Sequence, residues 1–168
     1  MLDIYSILTL MKKYLFYLAA AYGLTANAFA ADVDCAANEA KGIYEVECSN
    51  DYKATEVSVS NKSGSGVFNL KEDDDYINLT VNLQSKGAYK VYVGYNSVYG
   101  FKQINCAVNG IGGNANLGKS GDEAQDKKGE TLVATFDFKA GANTIKLSPI
   151  WTWAVVDYVR IEKDNNAP

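Results

Sequence analysis

The residues able to do chemistry in this chain are carboxylates, amides and aromatic rings, because its 168 residues include no histidine. Histidine is the general base of the Ser–His–Asp and Cys–His catalytic groupings and the commonest metal ligand in proteins. Sites of that kind, and a histidine switch near neutral pH, are therefore excluded. Carboxylate catalysis, binding of a hard cation through oxygen, and recognition by rings and amides remain.

Two glutamates, Glu45 and Glu47, are separated by a single residue. The segment Tyr44-Glu45-Val46-Glu47 alternates apolar and acidic residues, which predicts a strand with both glutamates on one face. Two like charges on one face repel unless a cation or a base lies between them. Calcium accepts several oxygen ligands, carboxylates among them. The alternative is that Glu45 and Glu47 simply face water on an edge strand.

The only two tryptophans, Trp151 and Trp153, are separated by one residue. In an extended segment they share a face. An aromatic ring is a flat apolar platform, which suits the C–H patches of a sugar. The alternative is that one or both fill the core, and we expect one exposed and one at least partly buried.

The elements that must position these residues are strands. Short segments rich in Val, Ile, Tyr and Thr alternate with period two, and no segment keeps a helical period. This pattern predicts an all-β fold, an antiparallel β-sandwich of about nine strands. The predicted strands are residues 44–47, 55–60, 67–70, 76–83, 88–95, 104–108, 132–138, 142–147 and 155–161.

Two connections are distinctive. Asn109-Gly110 predicts a tight hairpin. Residues 112–130 are polar and rich in Gly, Asn and Asp, which predicts a long loop of functional importance or without order.

Residues 1–30 have the order of a secretory signal peptide. Lys12 and Lys13 precede an apolar run of about eleven residues and the cleavage pattern Ala28-Phe29-Ala30. Met11, directly before the two lysines, fits the usual start of a signal peptide better than Met1 does. The alternative for residues 1–10 is therefore that translation begins at Met11. A membrane anchor is the alternative, but about 20 apolar residues are needed to span a bilayer. We expect a secreted protein without stable membrane insertion.

After cleavage, 168 − 30 = 138 residues remain, enough for one domain. They carry 14 positive and 19 negative charges, so the net charge of −5 argues against nucleic acid as a partner. All three cysteines lie in this part, and export permits disulfides. Cys35–Cys48 and Cys48–Cys106 are both possible pairs, and the sequence does not choose between them.

A set of short motifs is spread over residues 40–163, with 31–39 as a lead-in and 164–168 as a tail or linker. The motifs are Tyr44-Glu45-Val46-Glu47, residues 63–68, the strand 86–95, Val108-Asn109-Gly110, residues 139–147 and Val156-Asp157-Tyr158-Val159. In type and in order, this set resembles family 35 and family 6 carbohydrate-binding modules. The resemblance implies a jelly-roll-like sandwich that binds polysaccharide and carries structural calcium.

The resemblance also assigns roles to residues. Asp157 is the third carboxylate of a calcium site with Glu45 and Glu47, so calcium is the expected cofactor. The expected ligand cleft is lined by Trp151, Trp153, Tyr95, Asn96 and Tyr99.

Three further residues of the long loop, Asn114, Asn116 and Asp122, are expected to add polar contacts. The pair Trp151 and Trp153 resembles mannan-binding members attached to mannanases. Gly94 and Val155 stand where many members have Arg and Asn, which argues against a uronic acid ligand.

We therefore expect a monomeric, non-catalytic module for β-mannan or galactomannan, fused to or working with a glycoside hydrolase. One alternative is a calcium-stabilised adhesion or scaffold domain. The other is a small glycan-active enzyme, but glycosidase carboxylates lie on opposite sides of the scissile bond. Glu45 and Glu47, side by side on one strand, cannot flank a sugar in that way.

Overall fold

The computed structural model describes residues 33–57, 67–97, 100–118, 129–151 and 153–167. The predicted signal peptide, Tyr99 and Asp122 lie outside these residues. Within the described part, no helix is both long enough and apolar enough to cross a membrane.

The described chain folds into eleven strands after one short helix, α1, at Cys35–Glu39. A 3-10 helix at Val46–Cys48 follows the first strand. The strands are β1 Ile43–Glu45, β2 Asp51–Lys53, β3 Thr55–Val57, β4 Val67–Leu70, β5 Tyr76–Leu83, β6 Gly87–Asn96, β7 Lys102–Val108, β8 Ile111–Leu117, β9 Gly129–Phe138, β10 Gly141–Pro149 and β11 Ala154–Lys163.

The strands form two antiparallel sheets that pack face to face. The first sheet has the order β3-β4-β11-β6-β9, with β1 also paired to β11, and the second has the order β2-β5-β10-β7-β8. The alternating apolar residues of both sheets point inward, as in β5, where Ile77, Leu79 and Val81 are buried. The predicted antiparallel β-sandwich is confirmed.

Two strands were not predicted. All three residues of β2 are exposed, so this strand carries no apolar alternation. All of strand β8 after Ile111 lies in the segment predicted as a long loop, and its Asn114 and Asn116 are exposed strand residues rather than loop residues. The only apolar alternation in β8 comes from Ala115 and Leu117, which are buried. The glycines and asparagines around them are typical of loops, and for that reason the strand was not predicted.

The hairpin between β7 and β8 is confirmed. Val108 pairs with Ile111 across Asn109-Gly110, whose φ angles of 49° and 86° suit a type I′ turn.

The N-terminal segment differs from its prediction. Strand β1 ends at Glu45, and the chain turns into the 3-10 helix, in which the Val46 side chain is fully buried. Cys35 and Cys48 form a disulfide with their Cα atoms 6.0 Å apart, and Cys106 is free and buried. The first of the two possible pairings is therefore the one adopted.

Candidate functional site

A cluster of three carboxylates lies where β11 changes its neighbour. Residues 154–156 of β11 pair with β4, and residues 158–160 pair with β1. On the other side, the register with β6 shifts between Val156 and Tyr158, so Asp157 is the extra residue of a β-bulge. The bulge points Asp157 inward, and its side chain is fully buried.

Glu45 and Glu47 reach Asp157 from the N-terminal segment. Glu45 pairs with Tyr158, next to the bulge, and Glu47 lies in the 3-10 helix. One carboxylate oxygen from each of the three residues lies within 4.8 Å of the other two. The two glutamates therefore converge across a helical turn rather than along one strand. Buried Val46 anchors that turn between them.

The cluster has the composition and spacing of a hard-cation site. Calcium–oxygen distances are about 2.3–2.6 Å, so two oxygens bound to one ion lie at most about 5 Å apart. The separations of up to 4.8 Å satisfy this limit. A side chain of α1 supports the cluster, since Asn38 Nδ2 donates a hydrogen bond to Glu45 Oε1 at 3.0 Å.

The second group of predicted residues lies at one end of the sandwich, where β4 and β10 finish and β7 and β11 begin. We call this end the loop end. It holds four of the seven large apolar side chains that are exposed in the described residues, so apolar exposure is concentrated there. The four are Phe101, Ile150, Trp151 and Trp153.

Backbone hydrogen bonds to both sheets hold the connection that carries the tryptophans. The Trp151 N–H donates to the Gln103 carbonyl of β7 at 2.9 Å, and the Trp153 N–H donates to the Leu70 carbonyl of β4 at 2.9 Å. Trp151 is 59% exposed and Trp153 is 57% exposed, so the prediction that one would be partly buried in the core is wrong.

The backbone of Trp153 is left-handed, with φ of 71°, rather than extended. Few residues other than glycine adopt this conformation, and such strain often marks a functional position. A lysine lies near each ring: Lys71 Nζ is 5.1 Å from the Trp153 ring centre, and Lys102 Nζ is 5.9 Å from that of Trp151.

A row of amides crosses the outer face of the first sheet beside the loop end. Val155 pairs with Asn69 of β4 and with Asn96 of β6, so the three residues stand side by side across three strands. The Oδ1 atoms of both asparagines are buried and have no hydrogen-bond partner in the described part of the protein. Asn69 was not predicted, although inward-facing Phe68 and Leu70 on either side of it indicate its outward direction.

Tyr95 does not line this surface. It pairs with Val156 in the row that faces the core, and its side chain is only 6% exposed. Its ring lies against Gly129 of β9, where any Cβ would overlap it. The expected ligand contact from Tyr95 is therefore corrected: this tyrosine packs beneath the loop end.

Gly94 makes room for an aromatic ring. The Tyr158 ring occupies the space that a side chain at position 94 would need, and its hydroxyl donates to Glu130 Oε2 at 3.1 Å. Arg160 donates two hydrogen bonds to Glu130, at 2.7 and 2.9 Å. These hydrogen bonds from Arg160 are the main cause of the lowered pKa of Glu130. The pKa of Tyr158 is raised to about 12, mainly by burial and then by the negative charge of Glu130.

Comparison with known proteins agrees with this architecture. The family model for carbohydrate binding module (family 35) matches residues 42–164. A family 35 module from Clostridium thermocellum has 23% identity and a TM-score of 0.62 over 73% of this chain and 97% of that one. The CBM35 from Paenibacillus barcinonensis has 20% identity and a TM-score of 0.63 over 73% and 98%.

The chain also resembles part of the Podospora anserina GH26-CBM35 β-(1,4)-mannanase. The identity is 20% and the TM-score 0.59 over 75% of this chain, which spans only 28% of the mannanase chain. No curated protein matches the sequence. The fold and the matches define a non-catalytic carbohydrate-binding sandwich. The chain belongs to family 35 of the carbohydrate-binding modules.

Proposed function

We propose that the protein is a secreted module that binds β-mannan or galactomannan at its loop end, and that calcium stabilises its N-terminal segment. The observation that carries the ligand proposal is the pair of exposed tryptophans held by hydrogen bonds to both sheets. Backbone hydrogen bonds preorganise the connection that carries the rings, which lowers the conformational entropy lost on binding, and tryptophan is among the residues enriched at binding hot spots.

The amide row supplies the polar half of the proposed cleft. Asn69 and Asn96 are partly exposed, and an amide side chain can donate hydrogen bonds to sugar hydroxyls and accept them. Adjacent strands lie about 4.8 Å apart, so the two asparagine backbones are about 10 Å apart across Val155. Amides at that spacing can reach different hydroxyls of one polysaccharide chain.

Mannan is favoured by the tryptophan pair and by likeness to the module-bearing mannanase. Such a module would hold a glycoside hydrolase on its polysaccharide, with no catalysis of its own.

The ligand proposal is tested by affinity electrophoresis in gels that contain galactomannan, xylan or pectin. Trp151→Ala and Trp153→Ala are each expected to weaken binding to galactomannan by at least about tenfold, as loss of a hot-spot tryptophan does. The matched control is Ile111→Ala. Ile111 is the first residue of β8, is 67% exposed, and pairs with Val108 at the end of β7 that is far from the loop end.

Unchanged retardation of Trp153→Ala on every polymer would show that the cleft is elsewhere. Retardation on pectin alone would contradict a neutral ligand and would point to Lys71 and Lys102 beside the rings.

The same gels separate this proposal from the other functions considered. An adhesion or scaffold domain without sugar specificity would migrate freely in all three polymers. A glycan-active enzyme would release reducing sugars from them, and we expect no release.

The calcium proposal rests on the convergence of Glu45, Glu47 and Asp157. These carboxylates would hold the ion and tie the N-terminal segment to β11, which reaches the loop end through Ala154. Calcium would supply positive charge to a group of oxygens that otherwise repel one another.

A further inference from the structure

The disulfide Cys35–Cys48 encloses two of the three clustered carboxylates. The bridged cysteines are 13 positions apart, and Glu45 and Glu47 both lie between them. Glu47 is the residue directly before Cys48. The third carboxylate, Asp157, belongs to β11 and is held independently of the disulfide.

Helix α1 is held at both of its ends. It has only five residues, and none of them is buried, so apolar packing of the helix itself contributes little. After the helix, the Gly42 carbonyl accepts a hydrogen bond from the Ile161 N–H of β11 at 2.8 Å. At its start, the covalent bond from Cys35 ties the first turn of α1 to the 3-10 helix.

The position of α1 matters because Asn38 orients Glu45. The Asn38 amide donates to Glu45 Oε1 at 3.0 Å, which restricts the rotamer of this glutamate. Groups that hydrogen-bond to metal ligands in this way typically change metal affinity by about 10- to 100-fold when they are removed.

We propose that the Cys35–Cys48 disulfide makes cation binding by Glu45, Glu47 and Asp157 dependent on thiol oxidation, with Asn38 as the positioning residue. This proposal rests on the proposed calcium site. Reduction by dithiothreitol gives two cysteine thiols and cyclic oxidised dithiothreitol, with two electrons and two protons passed to the protein. It releases the first turn of α1 from the 3-10 helix and so loosens the hold of Asn38 on Glu45. Because linkage is reciprocal, bound cation must also disfavour reduction of the disulfide.

The first test is isothermal titration of CaCl2 into the full chain, oxidised and reduced. Reduction and Asn38→Ala are each expected to raise the Kd for calcium by about tenfold. Asn38→Ala leaves the disulfide intact, so it tests positioning even if the reduced protein unfolds. The matched controls are Cys106→Ala, which removes the thiol outside the disulfide, and Gln103→Ala, which removes an amide bonded to Asn116 at 2.8 Å. Both controls are expected to keep the Kd within about twofold.

Equal Kd values for oxidised protein, reduced protein and Asn38→Ala, with binding abolished by Glu47→Gln, would overturn this inference and leave the calcium site intact. Absence of binding by the oxidised wild type would overturn both proposals.

The second test measures the reciprocal effect. The fraction of reduced Cys35 and Cys48 is determined by thiol trapping in buffers of reduced and oxidised dithiothreitol, with saturating CaCl2 or with EDTA. Calcium is expected to shift the reduction equilibrium about tenfold toward the disulfide, to match the change in Kd. Equal reduced fractions in calcium and in EDTA would overturn the proposal.

Discussion

Removal of the proposed calcium ion is the perturbation whose effect on stability follows most directly from the structure. The three carboxylates place an oxygen each within 4.8 Å of the others, and Asp157 is fully buried. At an effective dielectric constant of about 20, two unit charges at that distance repel by about 3.5 kcal/mol. An ion bound only by the folded protein removes this repulsion and shifts the unfolding equilibrium.

The size of the shift follows from mass action. A ligand present at 100 times its Kd adds about 2.7 kcal/mol to the free energy of unfolding. The family-matched region has 164 − 42 + 1 = 123 residues. At about 2.1 cal/mol/K per residue, its unfolding entropy is about 0.26 kcal/mol/K. The expected fall in Tm on chelation is therefore about 10 °C.

Differential scanning calorimetry with saturating CaCl2 and with EDTA measures this fall. Glu47→Gln should remove most of the calcium response, since it deletes one of the three charges. Asp73→Asn is the control, because Asp73 is an exposed acid of the β4–β5 connection outside the cluster. An equal Tm in calcium and EDTA would refute the site, and an equal response of Glu47→Gln would refute its placement.

Three further predictions concern the frame around the site. Gly94→Ala places a Cβ into the Tyr158 ring and should lower the free energy of unfolding in urea by about 1–3 kcal/mol, whereas an unchanged value would show that the ring moves freely. Because Arg160 lowers the pKa of Glu130 from its ordinary 4.5, this carboxylate stabilises the fold above pH 4.5 and loses that contribution as the pH falls through its lowered pKa. The stability gap between wild type and Arg160→Ala should therefore be largest near pH 7 and close in acid, and a constant gap would contradict the assigned ion pair. Burial raises the pKa of Cys106 to about 12, so its thiol should resist Ellman's reagent at pH 8 in the folded protein and react in urea, whereas fast labelling without urea would contradict its burial.

Local patterns predicted most of the sheet because they depend only on period two. The alternation in residues 76–83 corresponds to β5, and Asn109-Gly110 corresponds to the β7–β8 turn. Prediction failed where a strand has no local signal. Strand β2 is exposed on every residue, and β8, an edge strand of the second sheet, carries glycines and asparagines that leave little apolar alternation.

The candidate site shows the same division. The tryptophan pair, the two glutamates and Asp157 were assigned to sites by residue type and by resemblance, but the exposure of both tryptophans was not predicted, and Asn69 was missed. Its place in the amide row exists only because β4 and β6 both pair with β11 at Val155. Tyr95 was assigned to the cleft, but the same register aligns it with Val156 and turns it into the core.

By itself, the sequence determined the sandwich class, the direction in which most strand residues point, the absence of histidine chemistry and the family motifs. These depend on composition and on the two-residue period of the strand, which are local properties. Tertiary structure decided which of those residues meet. Asp157 lies close to Glu45 and Glu47 because of a bulge at the point where the pairing partner of β11 changes from β4 to β1. Cys48 pairs with Cys35 rather than with Cys106. Strand register and partner choice are set by packing between distant segments, so the period of a single strand does not determine them.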